Sequence, residues 1–257
     1  MDSLLMLKGG YMLLGLDVGG TFTDAVIIDG HRVVATAKRR TTKDNLMNGI
    51  GEALDAVLEG YDTSNIEQVT LSTTVVTNTI VEEKEQVVDL YVVTGPGRNV
   101  DDIFPVKPIY LQGYTDHRGI VVEHTPADAV RGIANMVQKR SGTDLAAVSA
   151  KFGVRNPQEE LSITEELKNT YHVISNGSLL SGSLNFPRRT ISAYFNSAVT
   201  PVFTVFKKNV EDALSARNIV APLHILKADG GSLPIEHMVS RPVETAFTGP
   251  AATVLGL

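Results

Sequence analysis

The chain has 257 residues, 43% of them hydrophobic and 20% charged, with a net charge of −6. That is the composition of an ordinary globular protein with a sizeable core. The acidic balance argues against a general nucleic-acid or anionic-membrane binder. The absence of cysteine excludes disulfides, thiolate metal sites and cysteine nucleophiles, and fits a reducing, cytoplasmic compartment.

The first residues, up to about Tyr11, read as a leader. Lys8, Gly9 and Gly10 interrupt them too early for a signal sequence, and no apolar run approaches a membrane span. Tyr11–Val18 is a continuous apolar run, as in a buried strand. Phe22–Ile28 is a second strand, and Asp29-Gly30 turns the chain into a third at His31–Lys38. A helix follows, with Leu46, Met47, Ile50, Ala53, Leu54, Val57 and Leu58 on one face and Thr42 or Asp44 as its cap. Gln68–Ser72 reads as a strand, Asn78–Glu83 as a short helix and Val87–Thr94 as a buried strand.

Between 95 and 123, prolines and glycines separate short apolar runs, and Ile109–Gln112 with Ile120–Glu123 suggests an inserted hairpin. Thr125-Pro126 opens a helix that Gly142 stops. Leu145–Phe152 and His172–Ser175 are strands, with a helix opened by Asn156-Pro157 between them. Ile191, Tyr194, Phe195, Ala198, Val202, Val205, Phe206, Val210, Ala213 and Leu214 keep helical spacing over about seven turns. Pro201 inside that segment predicts a kink or break. Leu223–Lys227 is a strand that ends at Ala228-Asp229-Gly230-Gly231.

The order β-β-β-α-β-α-β over the first 95 residues predicts an α/β fold: a ribonuclease H-like mixed sheet flanked by helices. The domain expectation is a leader at 1–11, a ribonuclease H-like domain at 12–180 with an insertion near 96–124, and a long helix opening a second lobe at 181–257.

The stretch LDVGGTFTD, from Leu16 to Asp24, carries the first chemistry. Gly19 and Gly20 leave room for backbone N–H groups to approach phosphate oxygens, and Thr21 and Thr23 add hydroxyls. Asp17, at a strand end, is the candidate ligand for Mg²⁺, which binds through few carboxylates and keeps its waters. No Walker A sequence is present, and this turn leads into a strand instead of a helix. Thr73, Thr74 and Asn78 follow the fourth strand, where α/β ligands sit, and are read as catalytic. Gly230 and Gly231 either line a nucleotide cleft or form a tight turn, and Gly249 in Thr248-Gly249-Pro250 is read the same way. The histidines show no metal-binding spacing, and no G-x-S-x-G elbow occurs.

A phosphate-gripping turn between antiparallel strands resembles the first phosphate motif of the actin/hexokinase/Hsp70 ATPases. GLDVGGTFTD, STTVVTNTIVE, RRTISAYFNSAVTP, ADGGSLP and FTGPAA, in this order, resemble the N-terminal half of the hydantoinase A/5-oxoprolinase family. The resemblance implies ATP, Mg²⁺, a cyclic amide substrate of hydantoin or 5-oxoproline type, and a second hydantoinase/oxoprolinase subunit or domain, with no nucleic acid or membrane partner. Acetone carboxylase has a related subunit. The alternatives on the same scaffold are a small-molecule kinase and a non-catalytic regulatory domain. Three departures stand out: LSTT replaces the usual HGTT, VVTGPGRNVDD replaces a TTKGFRD-type loop, and the second D-x-G-G-T motif does not occur. The chain is therefore expected to hold one side of a catalytic cleft.

Overall fold

The computed structural model describes residues 11–41, 46–97 and 101–248. The leader, the cap candidates Thr42 and Asp44, and Gly249 lie outside the described residues. Contacts divide the chain into two units: unit 1 takes residues up to Glu82 and from Val202 onward, and unit 2 takes Glu83–Pro201.

Unit 1 is built on β1 (Met12–Val18), β2 (Phe22–Asp29), β3 (Arg32–Arg40), α1 (Leu46–Leu58), β4 (Ile66–Thr73) and α2 (Val75–Val81). β1 and β2 form an antiparallel hairpin with Val18 opposite Thr23, and β2 pairs antiparallel with β3. β4 returns parallel to β1 on the other side. Along β1, Leu14, Leu16 and Val18 are buried while Leu13 and Asp17 are exposed, so alternation sends Asp17 to the open face. On α1, Ile50, Ala53, Leu54 and Val57 are all buried. Each large one contributes about 1.5–3 kcal/mol.

Unit 2 holds β5 (Asp89–Val93), β6 (Ile109–Tyr110), β7 (Tyr114–Thr115), β8 (Val121–Glu123), α3 (Ala127–Ser141), β9 (Leu145–Ala150), α4 (Gln158–Leu167), β10 (Val173–Asn176) and α5 (Gly177–Leu180). Its sheet is parallel, in the order β10-β9-β5-β6. One face packs Tyr91, Val93, Ala146 and Val148 against Val130, Ala134, Ile163 and Leu167 of α3 and α4. The other packs Leu90, Val92 and Ala147 against Phe186, Ala193, Tyr194 and Ala198. Those four residues belong to α6 (Phe186–Ser215), which carries the chain from unit 2 into unit 1. There β11 (Leu223–Leu226), β12 (Ser232–Pro234) and α7 (Ile235–Met238) follow, and β11 adds itself parallel to β4. The first sheet is thus ordered β12-β11-β4-β1-β2-β3.

Four local expectations change. The seven early elements occur in the expected order, but β5 joins the second sheet, and β11, from far along the chain, pairs beside β4. Ile109–Tyr110 pairs with β5, not with the 120–123 run, whose hairpin partner is Tyr114–Thr115. The chain does not break at Pro201, which sits inside the continuous helix α6. The missing proline N–H leaves the Ser197 carbonyl without its helical donor, a loss the surrounding turns carry. The contact division falls at Pro201/Val202, whereas the sequence places the start of a second lobe at 181. Among the described residues, no helix is long and apolar enough to cross a membrane.

Candidate functional site

In unit 1, β1, β4 and β11 are parallel, so their C-terminal ends share one edge. The Gly19–Thr21 turn, the β4–α2 junction and the Asp229–Gly231 turn all lie there. This is the edge at which open α/β sheets receive ligands.

The Gly19–Thr21 turn is tied at both ends. The Gly19 amide donates to the Phe22 carbonyl at 3.0 Å, and the Thr41 amide donates to the Thr21 carbonyl at 2.8 Å. Thr23 is fully buried and its hydroxyl pairs with that of Thr41 at 3.0 Å, so it braces the turn from behind and offers nothing to an open cleft. A Cβ on Gly20 would stand 2.8 Å from the Asn78 side-chain nitrogen. Asn78 therefore lies directly against the turn, and only a residue without a side chain leaves it there.

α2 begins at Val75, three residues before the sequence reading places it, which puts Asn78 in the helix interior. The capping role falls to Thr73. Its buried hydroxyl donates to the Val18 carbonyl at 3.1 Å and accepts the Val75 amide at 3.1 Å. The Thr74 amide also donates to the Val18 carbonyl, at 3.2 Å, and its hydroxyl accepts from the Asn78 side chain at 3.1 Å. Thr73 thus joins β1, β4 and α2, while Thr74 and Asn78 extend toward Gly20. Sequence reasoning missed Thr77, and it offered Thr248 only as part of a cleft-lining turn. The Thr77 hydroxyl accepts the Phe247 amide at 2.8 Å, and the buried Thr248 hydroxyl donates to the Thr73 carbonyl at 2.9 Å. A threonine repeating through 73, 74 and 77 is the signal that could have found the first of these.

Asp17 faces Asp24 directly across the β1–β2 pair and Ser72 across β1–β4. Asp24 is neutralised by Lys38, whose ammonium lies 2.9 Å from both carboxylate oxygens. Asp17 is exposed, and no described cation pairs with it. A cavity of about 550 Å³ runs over this sheet face, floored by Gly15, Val26 and Leu226 and edged by Asp17, Asp24 and Lys38. A single free, oxygen-donor carboxylate beside a phosphate-sized turn fits Mg²⁺, which takes one or two carboxylates and completes its shell with water and phosphate.

Asp229-Gly230-Gly231 is the tight turn joining β11 to β12. Gly230 has φ +85°, and the Asp229 carboxylate is held by the Gly231 amide at 2.9 Å and the Lys227 ammonium at 2.7 Å. These contacts hold its carboxyl below the usual aspartate range, the Lys227 bond being the largest cause. Gly230 and Gly231 share the edge with the Gly19–Thr21 turn but lie two strands away from it.

Residues 13–171 match the hydantoinase/oxoprolinase N-terminal region and residues 189–257 match hydantoinase/oxoprolinase. An uncharacterized protein of Methanocaldococcus jannaschii is 23% identical over 96% of this chain and 40% of its own length. The nucleotide-free structure of an ATP-dependent acetone carboxylase superposes with a TM-score of 0.74 at 18% identity, covering 95% of this chain and 41% of that one. An ATP-dependent caprolactamase from Pseudomonas jessenii superposes with a TM-score of 0.72 at 19% identity, covering 93% and 39%. The chain spans about 40% of the length of these relatives. The structural likenesses show the fold, an α/β arrangement with a mixed sheet flanked by helices. With both profiles matched in order along its length, the chain belongs to the hydantoinase/oxoprolinase family.

Proposed function

We propose that the chain supplies one side of the nucleotide site of an ATP-dependent enzyme that hydrolyses a cyclic amide. The observation that carries this reading is the pairing of Gly20 with Asn78: a turn stripped of side chains, a polar amide against it, and the unpaired Asp17 carboxylate at the end of the same strand. ATP gives its γ-phosphoryl to the amide oxygen and leaves as ADP; water adds to the activated carbonyl carbon, the C–N bond breaks with the ring nitrogen leaving as the amine, and a second water hydrolyses the acyl phosphate to carboxylate and phosphate. Asp17 would hold Mg²⁺, which would supply neutralisation of phosphate charge.

The chain's own residues position. The Gly20 and Thr21 amides receive phosphate oxygens, and Gly19, whose own amide is spent on the Phe22 carbonyl, shapes the turn that presents them. The Asn78 amide, oriented by the Thr74 hydroxyl, donates to the same group. Thr73 and Thr23 hold the frame. Gly230, Gly231 and Gly249 are proposed to line the cleft farther along the edge, and the remaining phosphate contacts come from a second subunit or domain. Caprolactam and acetone, the compounds named for the two structural relatives, are both carbonyl compounds, which supports a carbonyl oxygen as acceptor.

The test is ADP release by the complete enzyme with 5-oxoproline, a hydantoin, caprolactam and a hexose in turn. Stimulation by a ring amide, with ring opening in equal amount, is expected. Stimulation by the hexose alone overturns the reading in favour of a kinase, and nucleotide binding without turnover favours a regulatory domain.

A further inference from the structure

The sheet of unit 2 has its own ligand edge. In the order β10-β9-β5-β6, the chain leaves β5 toward β6 on one side and leaves β9 toward β10 on the other. Neighbouring strands whose connections depart in opposite directions open a crevice between their C-terminal ends, the place where open parallel sheets bind ligands. Its walls are the turns Thr94–Gly97 and Lys151–Gly153. The Lys151 amide donates to the Val93 carbonyl at 2.9 Å, so the strands stay paired up to the rim.

The Lys151 side chain reaches across that crevice. Its ammonium is 3.5 Å from the Pro96 carbonyl, beyond the 2.7–3.2 Å of a good N–H···O bond. A Cβ on Gly97 would come within 3.1 Å of it. No described carboxylate pairs with this ammonium. The facing turn is narrow by necessity: Gly95 has φ +60°, and a Cβ there would sit 2.2 Å from the Tyr114 ring.

Behind the rim lies a second, independent observation. Glu160 and Arg189 have no exposed surface, and they form no ion pair with each other. Burying two charges is expensive and makes a poor stabilising device. Both are spent on the end of β9. The Glu160 carboxylate accepts the Ala150 amide at 2.7 Å, and Arg189 donates to the carbonyls of Ala150 at 2.9 Å, Lys151 at 3.1 Å and Ser183 at 2.6 Å. Glu160 also holds the Ser178 amide at 2.8 Å, from α5, the short helix after β10. A Cβ on Gly153 would stand 2.4 Å from a Glu160 oxygen, so the turn closes over the buried carboxylate. The residue fixed by this frame is Lys151.

We propose that the crevice between β5 and β9 binds a small carboxylate, with the Lys151 ammonium as its counter-charge and Thr94 at the rim. It lies wholly in unit 2, whereas the nucleotide site is in unit 1. If the cyclic-amide reading holds, this carboxylate is a substituent of the ring substrate, and only that refinement rests on it.

The experiment is calorimetric titration of the 257-residue chain, without nucleotide, with acetate, 5-oxoproline, 2-pyrrolidinone and inorganic phosphate. 2-Pyrrolidinone is the 5-oxoproline ring without its carboxylate. The expected result is that 5-oxoproline binds at least about tenfold more tightly than 2-pyrrolidinone. Lys151→Gln should erase that difference and Lys151→Arg preserve it, with melting temperatures within about 2 °C of the unsubstituted chain. Measurable and equal binding of the two ring compounds, unchanged affinity in Lys151→Gln, tighter binding of phosphate than of either carboxylate, or no binding of either carboxylate each overturns the proposal. Lys151-dependent binding of acetate without 5-oxoproline supports the crevice and counts against the ring substrate alone.

Discussion

At the scale of single residues, the hydroxyls and carboxylates at the edge of unit 1 divide into those that hold and those that are free. Thr73 has both hydrogen-bonding roles occupied, toward Val18 and Val75. Thr73→Val should cost about 1–2 kcal/mol in urea unfolding. Asn78 makes one side-chain bond, to Thr74, and sits inside a helix where alanine is the better former. Asn78→Ala should change stability by less than about 1 kcal/mol, yet lower ATP turnover of the complete enzyme at least about tenfold. A lowered melting point with an unchanged rate would count against the cleft role. Asp17 stands opposite Asp24, and like charges directly across a strand pair repel. Asp17→Asn should leave stability equal or raised while the Mg²⁺-dependent turnover collapses. A normal rate at normal Mg²⁺ concentration would refute its assignment as the metal ligand. Gly20→Ala is the complementary probe: its methyl would meet Asn78 at 2.8 Å, so nucleotide affinity should fall with little loss of folding.

At the scale of elements, α4 and the segment opening α6 place the two buried charges of unit 2. Burial pushes the Glu160 carboxyl up, against the Ala150 amide and the Ser178 amide and hydroxyl, which pull it down. Burial likewise lowers Arg189, with Glu160 opposing. A carboxyl raised in the folded state contributes its stability in full below the ordinary glutamate value, and loses it as pH rises through the raised one. The unsubstituted chain should therefore lose unfolding free energy relative to Glu160→Gln as pH climbs from that ordinary value toward neutrality. The difference curve should be no steeper than about 1.4 kcal/mol per pH unit. A flat difference curve would show that Glu160 titrates as it does unfolded. α6 invites a second test. With Pro201 inside an assigned helix, Pro201→Ala restores one backbone bond and should raise stability by up to about 3 kcal/mol.

At the scale of the whole molecule, unit 1 offers one turn for the proposed phosphate contact, and the chain covers about 40% of its relatives. Phosphate gripped from one side only binds weakly. Residues 1–257 alone should bind Mg-ATP with a dissociation constant weaker than about 100 µM, which calorimetry would reveal. A low-micromolar value would mean that the described turn and its neighbours suffice. Unit 2 carries its sheet, its buried charges and its crevice within one contact unit, so carboxylate binding there is expected to be independent of nucleotide.

The sequence by itself determined the class of fold, the early element order and the glycine turn between β1 and β2, because these depend on local facts. Apolar runs with period two make strands, Gly19-Gly20 with flanking hydroxyls makes a phosphate-sized turn, and Asp17 takes its face from its place in β1. The motif order along the chain was enough to name the family. What it could not determine were pairings between distant segments. Nothing local says that Leu223–Leu226 lies beside β4 while β5 leaves for another sheet, because register and neighbours are chosen by which faces can be buried together. The same reason separates Thr23 from Thr21: two hydroxyls equal in sequence differ because alternation turns one inward to Thr41. Glu160 and Lys151 are unremarkable charges in a linear reading, and nothing local says that Arg189 is buried. Only the tertiary structure buries Glu160 and Arg189 at the end of β9 and leaves Lys151 bridging the crevice.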